Sequence, residues 1–177
     1  MLPISSDPRT TMLRDYVSLA VDKPDHVQTD FAIRNAWAVV PFDAGSLYTQ
    51  QVPGQISAAA QAIGCTECCG FAVEPLLNVD SYRVAMTTAD LVDFARVCGH
   101  FKYVLVPYSK DFLILCNFVA DYCVMCGKRN FVEASLGRNI VEARKVFFEW
   151  AENFDSDDPL RSFLLDVSRR YDGYNGS

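Results

Sequence analysis

Residues 101–128, FKYVLVPYSKDFLILCNFVADYCVMCGK, constrain the fold more than any other part of the chain. Three runs rich in β-branched, aromatic and leucine side chains are separated by two short breaks, Tyr108 to Asp111 and Asn117 to Asp121. Breaks this short leave no room for a crossover helix, so successive strands must run antiparallel. The segment predicts two hairpins in succession, an antiparallel meander.

Other elements assemble around that meander. AWAVVPF, from Ala36 to Phe42, reads as a strand stopped by Pro41 and the turn formers Asp43-Ala44-Gly45. Gly70 to Glu74 and Ser81 to Met86 read as two more, with a break at Pro75 and Asn78-Val79-Asp80. Pro53 near a helix start, apolar Ile56, Ala59, Ala60 and Ile63, and a following Gly64 predict a helix over VPGQISAAAQAI. Thr87 or Thr88 caps a second over TADLVDFARVC, with Gly99 at its stop.

Asn130 with Glu133, and Asn139 with Glu142, repeat the spacing of a capping side chain and a carboxylate that reaches back to it, so each predicts a helix start. In the second of these helices Ala143, Val146, Phe147, Trp150 and Phe154 form one apolar stripe, with Arg144, Lys145, Glu149 and Glu152 directed outward. Pro159 restarts a last helix on which Leu160, Phe163, Leu164, Val167 and Tyr171 share a face. Residues 1–30, with Pro3, Pro8 and Pro24, are expected to be less regular apart from LRDYVSLAV, as are residues 172–177. Strands grouped in a meander and helices clustered beside them predict an α+β fold, an antiparallel sheet packed against several helices, in a single domain over 1–177.

Charge narrows the partner class. Sixteen basic and 22 acidic residues give a net charge of −6, which opposes attraction to phosphate backbones and favours encounter with a basic protein. No direct nucleic-acid partner is expected. The first thirty residues lack the basic start and apolar block of a secretory signal, and FLILCNFVADYCVMC is broken by Asn117 and Asp121 and is shorter than the ~20 residues of a membrane helix. A cytoplasmic protein without a membrane partner is the expectation.

The seven cysteines raise the question of chemistry. Cys65 and Cys68, then Cys123 and Cys126, form two C-x-x-C pairs, the ligand number of a structural zinc site. Against that reading, Cys123 and Cys126 fall in a strand, where residues three apart face opposite ways. Free cysteine otherwise behaves as a small buried hydrophobe. A redox motif of the thioredoxin kind needs its cysteines at a helix start, whereas Cys126 precedes Gly127 and a turn. A cysteine nucleophile needs a histidine base, and only His26 and His100 are available, the latter beside Cys98 in sequence. Phosphate-loop, dinucleotide, zinc-protease and nucleophile-elbow motifs are absent. The expectation is no catalytic residues, no cofactor and no metal, with a zinc or thiol-dependent site on Cys65, Cys68, Cys123 and Cys126 as the alternative.

Two features suit a binding surface. Phe118 and Val119 sit at the expected tip of the second hairpin, beside Asp121, where apolar side chains either fold back onto the sheet or serve as anchors in a partner. Glu152, Asp155, Asp157 and Asp158 gather in the link ENFDSDD without a basic residue, suited to a basic patch, with Asp157 or Asp158 also suited to cap the next helix.

The stretch FLILCNFVADYCVMCGKRNFVEASLGRNIVEARKVFFEWAE, residues 112–152, resembles a pattern of small bacterial immunity proteins, including those of contact-dependent growth inhibition and polymorphic toxin systems. A strand with Asp121, Tyr122 and Val124 ends in Cys126-Gly127, Asn130 to Glu133 open a short helix, and Gly137 precedes a helix holding Glu142 to Arg144. The resemblance implies neutralisation of a cognate toxin domain, commonly a nuclease and often basic, by covering its active site. It also implies that Cys126 stands where a small side chain is usual.

Overall fold

A computed structural model describes residues 2–4, 8–22, 26–73 and 81–176. Among the described residues the strands are β1 Leu2–Pro3, β2 Val21–Asp22, β3 His26–Val27, β4 Ala38–Asp43, β5 Glu67–Ala72, β6 Ser81–Ala85, β7 Lys102–Pro107, β8 Phe112–Asn117 and β9 Tyr122–Gly127. The helices are α1 Pro8–Ala20, α2 Thr29–Arg34, α3 Gln51–Ala62, α4 Thr88–Cys98, α5 Arg129–Leu136, α6 Ile140–Glu152 and α7 Pro159–Arg170, with 3₁₀ turns at Ala44–Tyr48 and Phe118–Ala120.

The fold is α+β. One antiparallel sheet runs in the order β1-β6-β5-β7-β8-β9-β4, and β2 pairs with β3 apart from it. The meander predicted from residues 101–128 is β7-β8-β9, with Leu105 opposite Ile114 and Leu113 opposite Cys126. β4 extends it on one side and β5 on the other. The break anticipated at Pro75 and Asn78-Val79-Asp80 lies outside the described residues, as does Pro24.

Both faces of this sheet are covered. Ile114, Cys116, Cys123 and Met125 point into a core closed by α3, α4 and α5, whereas Leu113, Leu115, Val124 and Cys126 point into a second core closed by α1, α2 and α7. That is why β8 and β9 are buried at every position and, apart from Asn117 at the end of β8, do not alternate with polar residues. Each large side chain removed from water in these layers contributes about 2 kcal/mol. Gly70, central in β5, lets the Phe94 ring lie against the strand, since a Cβ there would stand 2.8 Å from Phe94 Cε2.

The sheet edge at β4 is closed by α6 and the C-terminal segment. Ile140 and Ala143 of α6 enter the first core and Phe147 and Ala151 the second, so the helix straddles the edge. Tyr174 accepts the Val39 amide through its carbonyl at 3.1 Å, and Asn175 bridges to Ala38. Arg144 ties these parts together, donating from Nη2 to the Val39 and Tyr174 carbonyls at 3.0 and 2.5 Å and from Nη1 to Asn175 Oδ1 at 2.7 Å. The outward position expected for Arg144 is thus corrected: it is half-buried, and desolvation lowers its pKa.

Three further expectations change. Residues 8–20 form α1, which buries Leu13 and Ala20, and the Val27 amide of β3 donates to Tyr171 Oη at 2.9 Å, so the N-terminal part is more regular than its prolines suggest. Asn130 and Glu133 do not make the expected capping box. Lys128 occupies the cap position, Asn130 accepts from the next amide, and Glu133 instead accepts the Ile140 amide and pairs with Arg129. The Asn139 cap forms as expected on the Glu142 amide at 2.9 Å, as does Thr87 on Asp90. The buried line of α6 is rotated toward Ile140, Ala143, Phe147 and Ala151, leaving Val146 exposed.

Candidate partner-binding end

The turn after β8 is a short 3₁₀ element. Asn117 closes it by accepting the Ala120 amide at 3.2 Å, and Asp121 completes it at φ 54°, a left-handed conformation that a short polar residue tolerates. Its two apolar side chains part company. Phe118 turns inward, 5% exposed, with its ring 6.1 Å from that of Tyr48, while Val119 is 65% exposed. Phe118 as a partner anchor is therefore corrected: it fills the first core, and Val119 alone is presented.

The same end of the sheet collects the acidic link. The Asp121 backbone carbonyl accepts the Ala44 amide at 2.9 Å, and Asp43 lies opposite Tyr122 in the β4-β9 pairing. Phe163 of α7 stands edge-on to Tyr122 at 5.7 Å, so the start of α7 and the link before it lie at the tip end of β9. Glu152, Asp155 and Asp157 are exposed, and Asp158 caps α7 by accepting the Leu160 amide at 2.8 Å. Among the described residues none of Asp121, Glu152, Asp155 or Asp157 makes an ion pair with a basic side chain.

Between the end of β4, α3 and α6 a shallow recess of about 70 Å³, open to solvent, is lined by Phe42, Val52, Leu136, Val146 and Trp150. Asp43 and Ser46 form one polar wall, with the Ser46 amide and hydroxyl both donating to the Asp43 carboxylate, and Arg138 stands at another. The recess was not anticipated. Its only signal in the sequence is Val146 and Trp150, which the helical stripe assigns to the sheet and the fold leaves at the rim.

The cysteines divide between the two cores, with Cys65, Cys68, Cys98, Cys116 and Cys123 in the first and Cys69 and Cys126 in the second. Cys123 lies in the first core and Cys126 in the second, so the four cysteines of the zinc alternative do not converge, and among the described residues no group of three or more His, Cys, Asp and Glu side chains could hold a metal ion. Cys116 and Cys123 face each other across β8 and β9, fully buried, and burial pushes the Cys123 thiol well up. Cys98 is buried on α4 with its pKa raised to about 12 by desolvation, the opposite of an activated nucleophile, while His100 is exposed in the following turn. Cys65 and Cys68, in the same first core, lie 4.0 Å from sulfur to sulfur.

Among the described residues no helix is long and apolar enough to cross a membrane. Comparison with family models, with curated proteins and with solved structures returns no match to this chain.

Proposed function

We propose that this chain is a non-catalytic, cytoplasmic protein-binding inhibitor, most concretely an immunity protein that neutralises a cognate toxin domain by covering its active site. One observation carries the reading: an exposed Val119, the carboxylates of Asp121, Glu152, Asp155 and Asp157 and an apolar recess all lie at one end of the sheet. An exposed apolar anchor beside unpaired acids suits a basic partner, since opposite charge on the partner speeds encounter while the anchor slows dissociation. The motif resemblance over residues 112–152 supplies the toxin context, and its structural positions fall on β8, β9, α5 and α6, next to this end. A nuclease is the partner chemistry it favours, because such enzymes are basic where they hold phosphate.

The test is protection. A large secreted protein encoded immediately upstream is the toxin this reading expects, and its C-terminal domain is expressed alone and together with this chain. Growth restored by the chain, with recovery of a complex of the two proteins, supports the reading. Killing that continues in the presence of well-expressed, folded chain ends it.

A further inference from the structure

Of the two C-x-x-C pairs, the fold brings only Cys65 and Cys68 into contact. Their backbones are held by different elements. Cys65 follows α3 and donates its amide to the Ala60 carbonyl at 2.8 Å, and Cys68 is fixed in β5 between Val84 and Pro107. Their sulfurs lie 4.0 Å apart in thiol–thiol contact. Cys65 keeps 8% of its surface exposed between the exposed Gly64 and Thr66, while Cys68 lies behind it at 0%. Cys116, Cys123 and Cys126 have no exposed surface at all.

From this geometry we infer that Cys65 and Cys68 form a reversible dithiol–disulfide site, a modification site whose co-reactant is a low-molecular-weight disulfide such as oxidised glutathione. Cys65, the outer sulfur, gives its proton to solvent and attacks one sulfur of the small disulfide. That S–S bond breaks, a mixed disulfide forms on Cys65, and one small thiolate leaves and takes up a proton. Cys68 then loses its proton and attacks the Cys65 sulfur, and the second small thiol departs. The protein loses two hydrogens as the small disulfide is reduced to two thiols. Closing the gap from 4.0 Å to about 2.0 Å requires side-chain rotation of neighbouring sulfurs. The Cys68 thiol, hydrogen-bonded to Cys65, draws Cys65 below the usual cysteine value, against burial and the charges of Asp111 and Glu67, which favours Cys65 as the attacking sulfur. The site stands independently of the partner reading.

The experiment incubates the folded, reduced protein with oxidised glutathione, quenches with iodoacetamide and maps the cysteines by peptide mass. The expected product is a peptide containing Cys65 and Cys68 that is two hydrogens lighter and reverts with dithiothreitol, formed at least about tenfold faster than any change at the other cysteines. Cys68→Ser is expected to accumulate a glutathione adduct on Cys65, and Cys65→Ser to give neither product. Urea midpoints establish that each variant is folded, with Cys68→Ala replacing Cys68→Ser if the latter is not. A disulfide forming first between Cys116 and Cys123, Cys65 and Cys68 both alkylated after incubation, or no Cys65 adduct in a folded Cys68 variant would each overturn the inference.

Discussion

The ring of Phe118 packs 6.1 Å from that of Tyr48, while the next side chain, Val119, points into solvent. Substitution at the two positions should therefore separate folding from binding. Phe118→Asp places a charge in the first core and is expected to cost at least about 3 kcal/mol of stability, read from urea unfolding. Val119→Asp is expected to change stability by less than about 0.5 kcal/mol and to weaken the complex about tenfold or more. The opposite pattern would mean that the turn rearranges and that Phe118 is the anchor after all.

Arg144 joins two segments far apart in sequence, Val39 and Tyr174-Asn175, through 2.5–3.0 Å hydrogen bonds. Arg144→Ala removes these bonds from a half-buried position and is expected to cost about 1–3 kcal/mol. Hydrogen exchange supplies the specific readout, since the Val39 amide, held by the Tyr174 carbonyl, should lose protection more than the Cys126 amide at the interior of the sheet. Equal protection in variant and parent would show that the C-terminal segment stays on β4 without the arginine.

Gly70 sets a limit of space in β5. Gly70→Ala drives a Cβ to 2.8 Å from the Phe94 ring, and the expected cost is about 1–3 kcal/mol. Because the clash is with one ring, Phe94→Leu should recover part of that loss when the two changes are combined, giving a non-additive double-mutant cycle. Strict additivity would place the strain in the backbone.

Buried thiols predict an alkaline weakness. Burial raises the pKa of Cys68, Cys98, Cys123 and Cys126, that of Cys98 to about 12, so the folded state keeps protons that the unfolded chain releases above about pH 8.5. A folded pKa raised in this way contributes stability that is intact below the unfolded value and is lost as pH rises from there through the folded one. Urea midpoints measured with reducing agent should fall steadily from about pH 8.5 upward, and Cys126→Val should shallow the fall. A midpoint independent of pH to about 10 would contradict the burial of these sulfurs.

How much was legible follows from how local each signal is. The β7-β8-β9 meander was readable because two short breaks permit no other connection, and the Asn139 and Thr87 caps because their partners lie three residues away. Asn130 failed by the same logic: Lys128 begins the helix two residues earlier, so the box falls inside the first turn. The inward turn of Phe118 depends on Tyr48, and the burial of Arg144 on Tyr174 and Asn175, contacts that no window along the chain contains. Strand alternation did place Cys123 and Cys126 on opposite faces, yet nothing in Cys65-Thr66-Glu67-Cys68 reveals that a helix end and a strand start bring its two sulfurs together.

The Val119 and acidic-link end of the sheet is the surface proposed to bind a basic protein partner. Calorimetric titration of the parent chain and of a Val119→Asp, Asp155→Lys, Asp157→Lys variant against the upstream-encoded C-terminal domain tests it most directly. The expected result is tight binding by the parent and a loss of at least about 100-fold in the folded variant. Absence of binding by the parent, or equal affinity in both, would mean that this end of the sheet is not the binding surface.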